Sequence, residues 1–221
     1  MQTETKSEMK VSTRLALGFG ALVFLMLFVG GSAWLAMSNI TNRLNDVIED
    51  KAPKLEWIAS INYNVLDIAR SLRNALLEAQ DPSVMETHIT QVMEARKRIK
   101  ETVEKLEPRL VLPEGKAAMK RILEARDAFI AGQDTVIRLL REKKTEEART
   151  FLLTEMRERQ RKYAAATGEL QKIQATLLHE TGQAAQQEAK QANIVMVVTL
   201  LVSIMAAVGI AWLIVRSLVN R

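Results

Sequence analysis

Two uncharged apolar runs stand near the ends of this sequence, Leu15 to Met37 and Ile194 to Val215, and between them apolar residues recur at steps of three and four. A helix needs about 20 apolar residues to cross the hydrocarbon core of a bilayer, and each run is long enough. Gly18, Gly20, Gly30 and Gly31 in the first run would let a neighbouring helix approach closely. Trp34 and Trp212 lie near run ends, where an indole suits the membrane interface. A cleaved signal peptide is the alternative for the first run, because SAWLAMS (32–38) offers small residues, yet the run exceeds a usual signal core.

The segment between the runs predicts four helices and no strand. The first spans about Thr41 to Gln80, with a kink or interruption at Pro53. Its stripe is Leu55, Ile58, Asn62, Val65, Ala69, Leu72 and Leu76. Asp81-Pro82 ends it and can start the second helix, with Asp81 as N-cap and Pro82 at the first position. That helix reaches about Leu106, and the prolines at 108 and 113 mark a loop over 107–115. A third helix covers about Lys116 to Glu142. After Lys143-Lys144, Thr145 can cap a fourth helix whose stripe includes Leu152, Met156, Tyr163, Leu170 and Leu177. At about 1.5 Å per residue the first and fourth helices outreach the middle pair by some 20–30 Å. That asymmetry suits an all-α, up-down-up-down four-helix bundle whose outer helices continue into two transmembrane helices.

Charge fixes the expected orientation. Lys6, Lys10 and Arg14 precede the first run, and Arg216 and Arg221 follow the second. The positive-inside rule then makes 1–14 a cytoplasmic leader, 15–37 and 194–215 the transmembrane helices, and 38–193 an external domain. Of the net +5, the leader carries +1 (three bases, two acids) and the tail +2, leaving 26 bases against 24 acids in the middle. Charges so mixed along helix faces describe a solvated surface, and nucleic-acid binding has no support. The chain has no cysteine, hence no disulfide framework, thiolate metal site or cysteine nucleophile.

Enzyme chemistry finds little purchase. His88 and His179 are isolated on different helices, with no metal-ligand spacing around them, and no nucleophile elbow or phosphate-cradling glycine loop occurs. No catalytic residue, metal or cofactor is expected. The arginines are better candidates. Tyr63, Leu66, Arg70 and Arg73 form a strip beside the core stripe of the first helix, turned away from the bundle core and suited to meeting another subunit. Two guanidiniums there, with Asn74 adjacent, could hold a carboxylate. Equally, they could be surface arginines pairing with Asp67 or Glu78. Arg126 and Arg159 interrupt the stripes of the third and fourth helices, so each needs an anion, whether a ligand or a carboxylate such as Asp127 or Glu158. Thr154 and Arg157 match the upper pair in height, and Tyr163 is either core or a ring contact.

The chain resembles the amino-terminal part of a bacterial methyl-accepting chemotaxis protein with a four-helix-bundle sensor domain. RSLVNR (216–221) is similar to the start of a HAMP linker, and ARSLRNALLEAQDP (69–82) resembles that family's usual end to its first sensor helix. The resemblance implies a homodimer in the inner membrane, a periplasmic sensor domain and attractant bound where the first helices of two subunits meet. It also implies output to cytoplasmic signalling proteins. In receptors of this type for amino acids, arginines late in the first helix hold the carboxylates and the fourth helix completes the site. Arg70 and Arg73 fall near those positions. A further, earlier arginine of that pattern is replaced by Asn64-Val65, and the later pair is spaced by three rather than four. A small organic acid is therefore expected in preference to an amino acid. A sensor histidine kinase input domain, or a membrane-anchored module docking a protein, would share the layout.

Overall fold

The structure, a computed structural model, describes residues 11–219. The leader bases Lys6 and Lys10, the side chain of Arg14, and Arg221 lie outside the described residues. The described chain is helical throughout, without a strand, and divides into two compact units.

The larger unit, Asn45–Thr181, is an up-down-up-down four-helix bundle. Its helices are α2 (Ala52–Leu77), α3 (Pro82–Leu106), α4 (Pro113–Arg141), and a fourth made of α5 (Thr145–Phe151) followed by the bundle portion of α6 (Arg157–Val219). Each helix sends apolar side chains inward. Ile58, Val65 and Leu72 of α2 meet Ile89, Val92 and Ile99 of α3, Ile122, Phe129 and Val136 of α4, and Met156, Tyr163 and Leu170 of the fourth helix in one core.

The expected stripe of α2 is too narrow. Ile61, Asn64, Ile68, Ser71 and Ala75 are also buried, while Leu55, Asn62 and Leu76 are only half-buried. A helix wedged among neighbours buries an arc wider than one seam. Asn62 instead accepts a hydrogen bond from Thr167 at 2.5 Å. Buried Asn64 accepts from Arg98 Nε at 2.7 Å and donates to the Ser60 carbonyl at 2.7 Å.

The interruption anticipated at Pro53 takes the form of a π turn over Val47–Lys51, where the Ala52 N–H donates to the Val47 carbonyl. Pro53 has no N–H to offer the Glu49 carbonyl four residues back. Arg109 donates to that carbonyl at 3.0 Å, with its guanidinium 5.4 Å from the Trp57 ring centroid. Asp81 caps α3 as expected, accepting from Ser83 N at 2.9 Å and Val84 N at 3.3 Å.

Two boundaries differ from the sequence reading. The 107–115 loop is shorter, because Glu107–Arg109 forms a 3₁₀ turn and Pro113 opens α4; its missing N–H costs nothing at a first helical position. Thr145 does not cap the fourth helix. It is the first helical residue, preceded by Lys144 without a side-chain cap. α4 ends in a Schellman arrangement instead: Lys144 N donates to Leu139 O at 2.9 Å, Lys143 N to Leu140 O at 3.0 Å, and Lys143 takes the left-handed φ of 59°.

The second unit combines the described residues of 1–44 and 182–221. Its two helical stretches belong to α1 (Val11–Asp46) and to α6, and each contains an 18-residue window apolar enough to cross a membrane, no part of which is buried within the protein. Two polar side chains of the second apolar stretch return to their own backbone: Thr199 donates to Val195 O at 2.7 Å and Ser203 to Thr199 O at 2.8 Å, so neither hydroxyl is left to be satisfied by lipid. Arg43 pairs with Glu188, donating from Nε at 2.6 Å. Arg216 lies 5.0 Å over the Trp212 ring.

Candidate ligand site

The strip Tyr63, Leu66, Arg70, Arg73 follows from helical geometry: steps of three and four residues keep side chains on one face of α2. That face is open. Tyr63 is 66% exposed and Leu66 61%, both large apolar groups facing away from the core. Arg70 pairs with Asp67 at 2.5 Å. The other Asp67 oxygen accepts from Arg98 of α3 at 3.1 Å, and the carboxylate itself is mostly buried, with 14% of its side chain exposed. Arg73 donates from Nε to the Ala69 carbonyl at 3.1 Å and makes no ion pair among the described residues. Arg70 and Arg98 therefore share the Asp67 carboxylate, while Arg73, three residues further along the same face of α2, has no acid partner among the described residues. Asn74 is half-buried, and its backbone carbonyl accepts from Glu78 N at 2.9 Å.

Arg98 is absent from the sequence-derived set. It comes from a separate helix, and only the basic character of RKRIK (96–100) could have drawn attention to it.

The other candidates lie elsewhere. Arg126 and Tyr163 line one cavity between α3 and α4. Arg126 bonds Asp127 at 3.1 and 3.3 Å, the pairing that competes with a ligand role. Burial pushes the Tyr163 phenol well above its ordinary range, so it is a protonated hydroxyl at neutral pH. Arg159 lines a different groove with Arg121, Glu155, Glu158 and Glu169. Its charge is met by the Ala128 carbonyl at 2.9 Å and by the Phe151 ring at 5.7 Å, neither of which is an acid. Thr154 donates to the Thr150 carbonyl at 2.8 Å and borders a shallow hollow beside Leu139 and Phe151. Arg157 is exposed. The eight expected ligand residues thus occupy several separate places on the bundle.

A family model described as "Four helix bundle sensory module for signal transduction" matches residues 8–189. The chain belongs to this family. The match covers the bundle together with the whole of the first apolar helix, and it is the sensor type of the amino-terminal part of methyl-accepting chemotaxis proteins. A search of curated proteins found no match. As a sensory module for signal transduction with two helices apolar enough to span a membrane, the protein is a membrane receptor component.

Proposed function

We propose that the sensory module is the periplasmic input of an inner-membrane chemoreceptor, and that it binds a small organic acid on the Arg70–Arg73 strip of α2. Residues 38–193 would stand outside the membrane and both termini inside, anchored in lipid by the spans at 15–37 and 194–215. A second copy, meeting the exposed Tyr63 and Leu66, would close the site as a homodimer. The observation that carries this reading is the charge imbalance along this face: Arg70 and Arg98 share Asp67, and Arg73 has no acid partner among the described residues. Each charge-assisted hydrogen bond to a carboxylate contributes about 1.5–3 kcal/mol. An amino acid would also need acceptors for its ammonium group. Asp67, the nearest acid, already holds two guanidiniums, which favours an acid without an amine.

Signal would leave along α6, which carries both the bundle's fourth helix and the second apolar stretch. Shifts of about 1–2 Å at helix interfaces are a known switching mode, and a ligand drives them only by its differential affinity for two states. Output would pass to cytoplasmic signalling proteins after the HAMP-like start at 216–221.

The test is a thermal-shift screen of small carboxylates against the full chain in nanodiscs. Ligand at 100 times its Kd stabilises by about 2.7 kcal/mol, a rise of several degrees in Tm. The Arg70→Ala, Arg73→Ala double variant should lose the shift. A module that docks a protein instead would show no shift with any acid.

A further inference from the structure

The cavity between α3 and α4 has a volume of about 530 Å³, within the usual range of small-molecule sites. It exists because α3 packs along α2 while its backbone stays apart from α4. Polar bridges span the gap instead: Arg141 to Glu86 at 2.8 and 2.9 Å, Arg96 to Gln133 at 2.5 Å and Arg96 to Asp134 at 2.7 Å.

The walls are apolar, with Ile99, Leu123, Phe129 and Ile130 among them. Two fully buried side chains break that apolar lining. Tyr163 and Gln133 are both 0% exposed, and the Tyr163 hydroxyl and Gln133 Nε2 have no hydrogen-bond partner among the described residues. A core that only had to pack would carry phenylalanine and an aliphatic residue there, since buried polar atoms without partners are costly. The cavity lining also includes four cations, Arg96, Lys97, Lys100 and Arg126, against Glu104 and Glu107. Among the described residues Arg126 is held only by its sequence neighbour Asp127, whose side chain is 70% exposed, so that pair is weak and exchangeable.

We propose that this cavity is a second ligand site, contained within one copy of the bundle, for an amphipathic carboxylate. The carboxylate binds Arg126, a ring or branched chain lies against Ile99, Leu123 and Phe129, and a hydroxyl or carbonyl on the ligand meets Tyr163 and Gln133. The site is independent of the α2 strip, which faces outward and shares no residue with it.

Calorimetric titration of the full chain in nanodiscs tests this, with 4-hydroxybenzoate and 4-methyl-2-oxopentanoate as probes and benzoate and succinate as comparators. At least one probe should bind. Tyr163→Phe should weaken that probe about tenfold, the loss of one buried hydrogen bond, while leaving benzoate within about twofold. Ile130→Trp or Leu123→Trp, whichever keeps the parent's melting cooperativity, should abolish binding by filling the cavity. The Arg70→Ala, Arg73→Ala double variant should leave probe binding unchanged while removing that of succinate, so the two sites fail separately. Absence of binding by both probes overturns the proposal. So does a probe affinity that ignores both Tyr163→Phe and the filling variants, or one lost with the α2 arginines.

Discussion

Gly132→Ala and Gly168→Ala, two like substitutions in helices of the same bundle, should move stability in opposite directions. Gly132 lies in α4 facing the fourth helix: a Cβ there would sit 2.9 Å from Met156 Sδ and 2.9 Å from Arg159 Cδ. Ordinary contact begins at 3.4 Å, so both neighbours must retreat by 3.4 − 2.9 = 0.5 Å. Neither is free to do so. Met156 is 2% exposed and closes the π turn Leu152–Met156, and Arg159 is tied to the Ala128 carbonyl. Overpacking of this kind costs about 1–3 kcal/mol, against a helix-propensity gain of roughly 0.5–1 kcal/mol for replacing glycine by alanine. The net is a loss of about 1 kcal/mol. At Gly168 nothing lies within 4 Å of the new methyl, so the gain stands alone. Thermal unfolding of the full chain followed by circular dichroism should separate the two variants by about 3–8 °C, with the parent between them. A Gly132→Ala protein as stable as Gly168→Ala would refute the close α4–α6 packing.

Three further outcomes follow from single contacts. Asp81→Ala removes the two backbone donors' acceptor at the start of α3 and should cost about 1 kcal/mol in denaturant unfolding. Lys143→Gly should stabilise by about 0.5–1 kcal/mol, because Lys143 holds a left-handed φ of 59° that glycine adopts without strain. The hydrogen bonds from Arg141 lower the pKa of Glu86 below its ordinary 4.5, so the pair's contribution is present above that pH and is lost as pH falls through the lowered value. Both side chains are about half exposed, which limits the effect to a few tenths of a kcal/mol. Acid titration of stability should be slightly flatter in Glu86→Gln than in the parent.

The bundle was legible because its signals are local. Asp81-Pro82 is a helix start readable from two residues, and the absence of charge over 15–37 and 194–215 needs no tertiary information. What stayed hidden depended on partners distant in sequence. Asn64 and Ser71 are polar yet buried, since Arg98 and Gln91 reach them from α3. From spacing alone Arg159 is a buried charge in need of an anion, but a backbone carbonyl and an aromatic ring serve it. Proline breaks helices, which points to a loop at Pro113, although at a first position it starts one. For the site, the outward turn of Tyr63, Leu66 and Arg70 could be read from helical spacing. The contribution of Arg98 could not, and neither could the α3–α4 cavity, because no spacing rule joins residues from separate helices.

The proposal that two copies meet on the α2 strip, and that an acid binds there, is open to one direct measurement. The chain lacks cysteine, so Leu66→Cys introduces a single thiol at an exposed position of that strip. Oxidative cross-linking in membranes should give disulfide-linked dimers much faster for Leu66→Cys than for Thr90→Cys on the exposed face of α3, and succinate should change the Leu66→Cys rate. Equal rates for the two positions, unmoved by succinate, would contradict it.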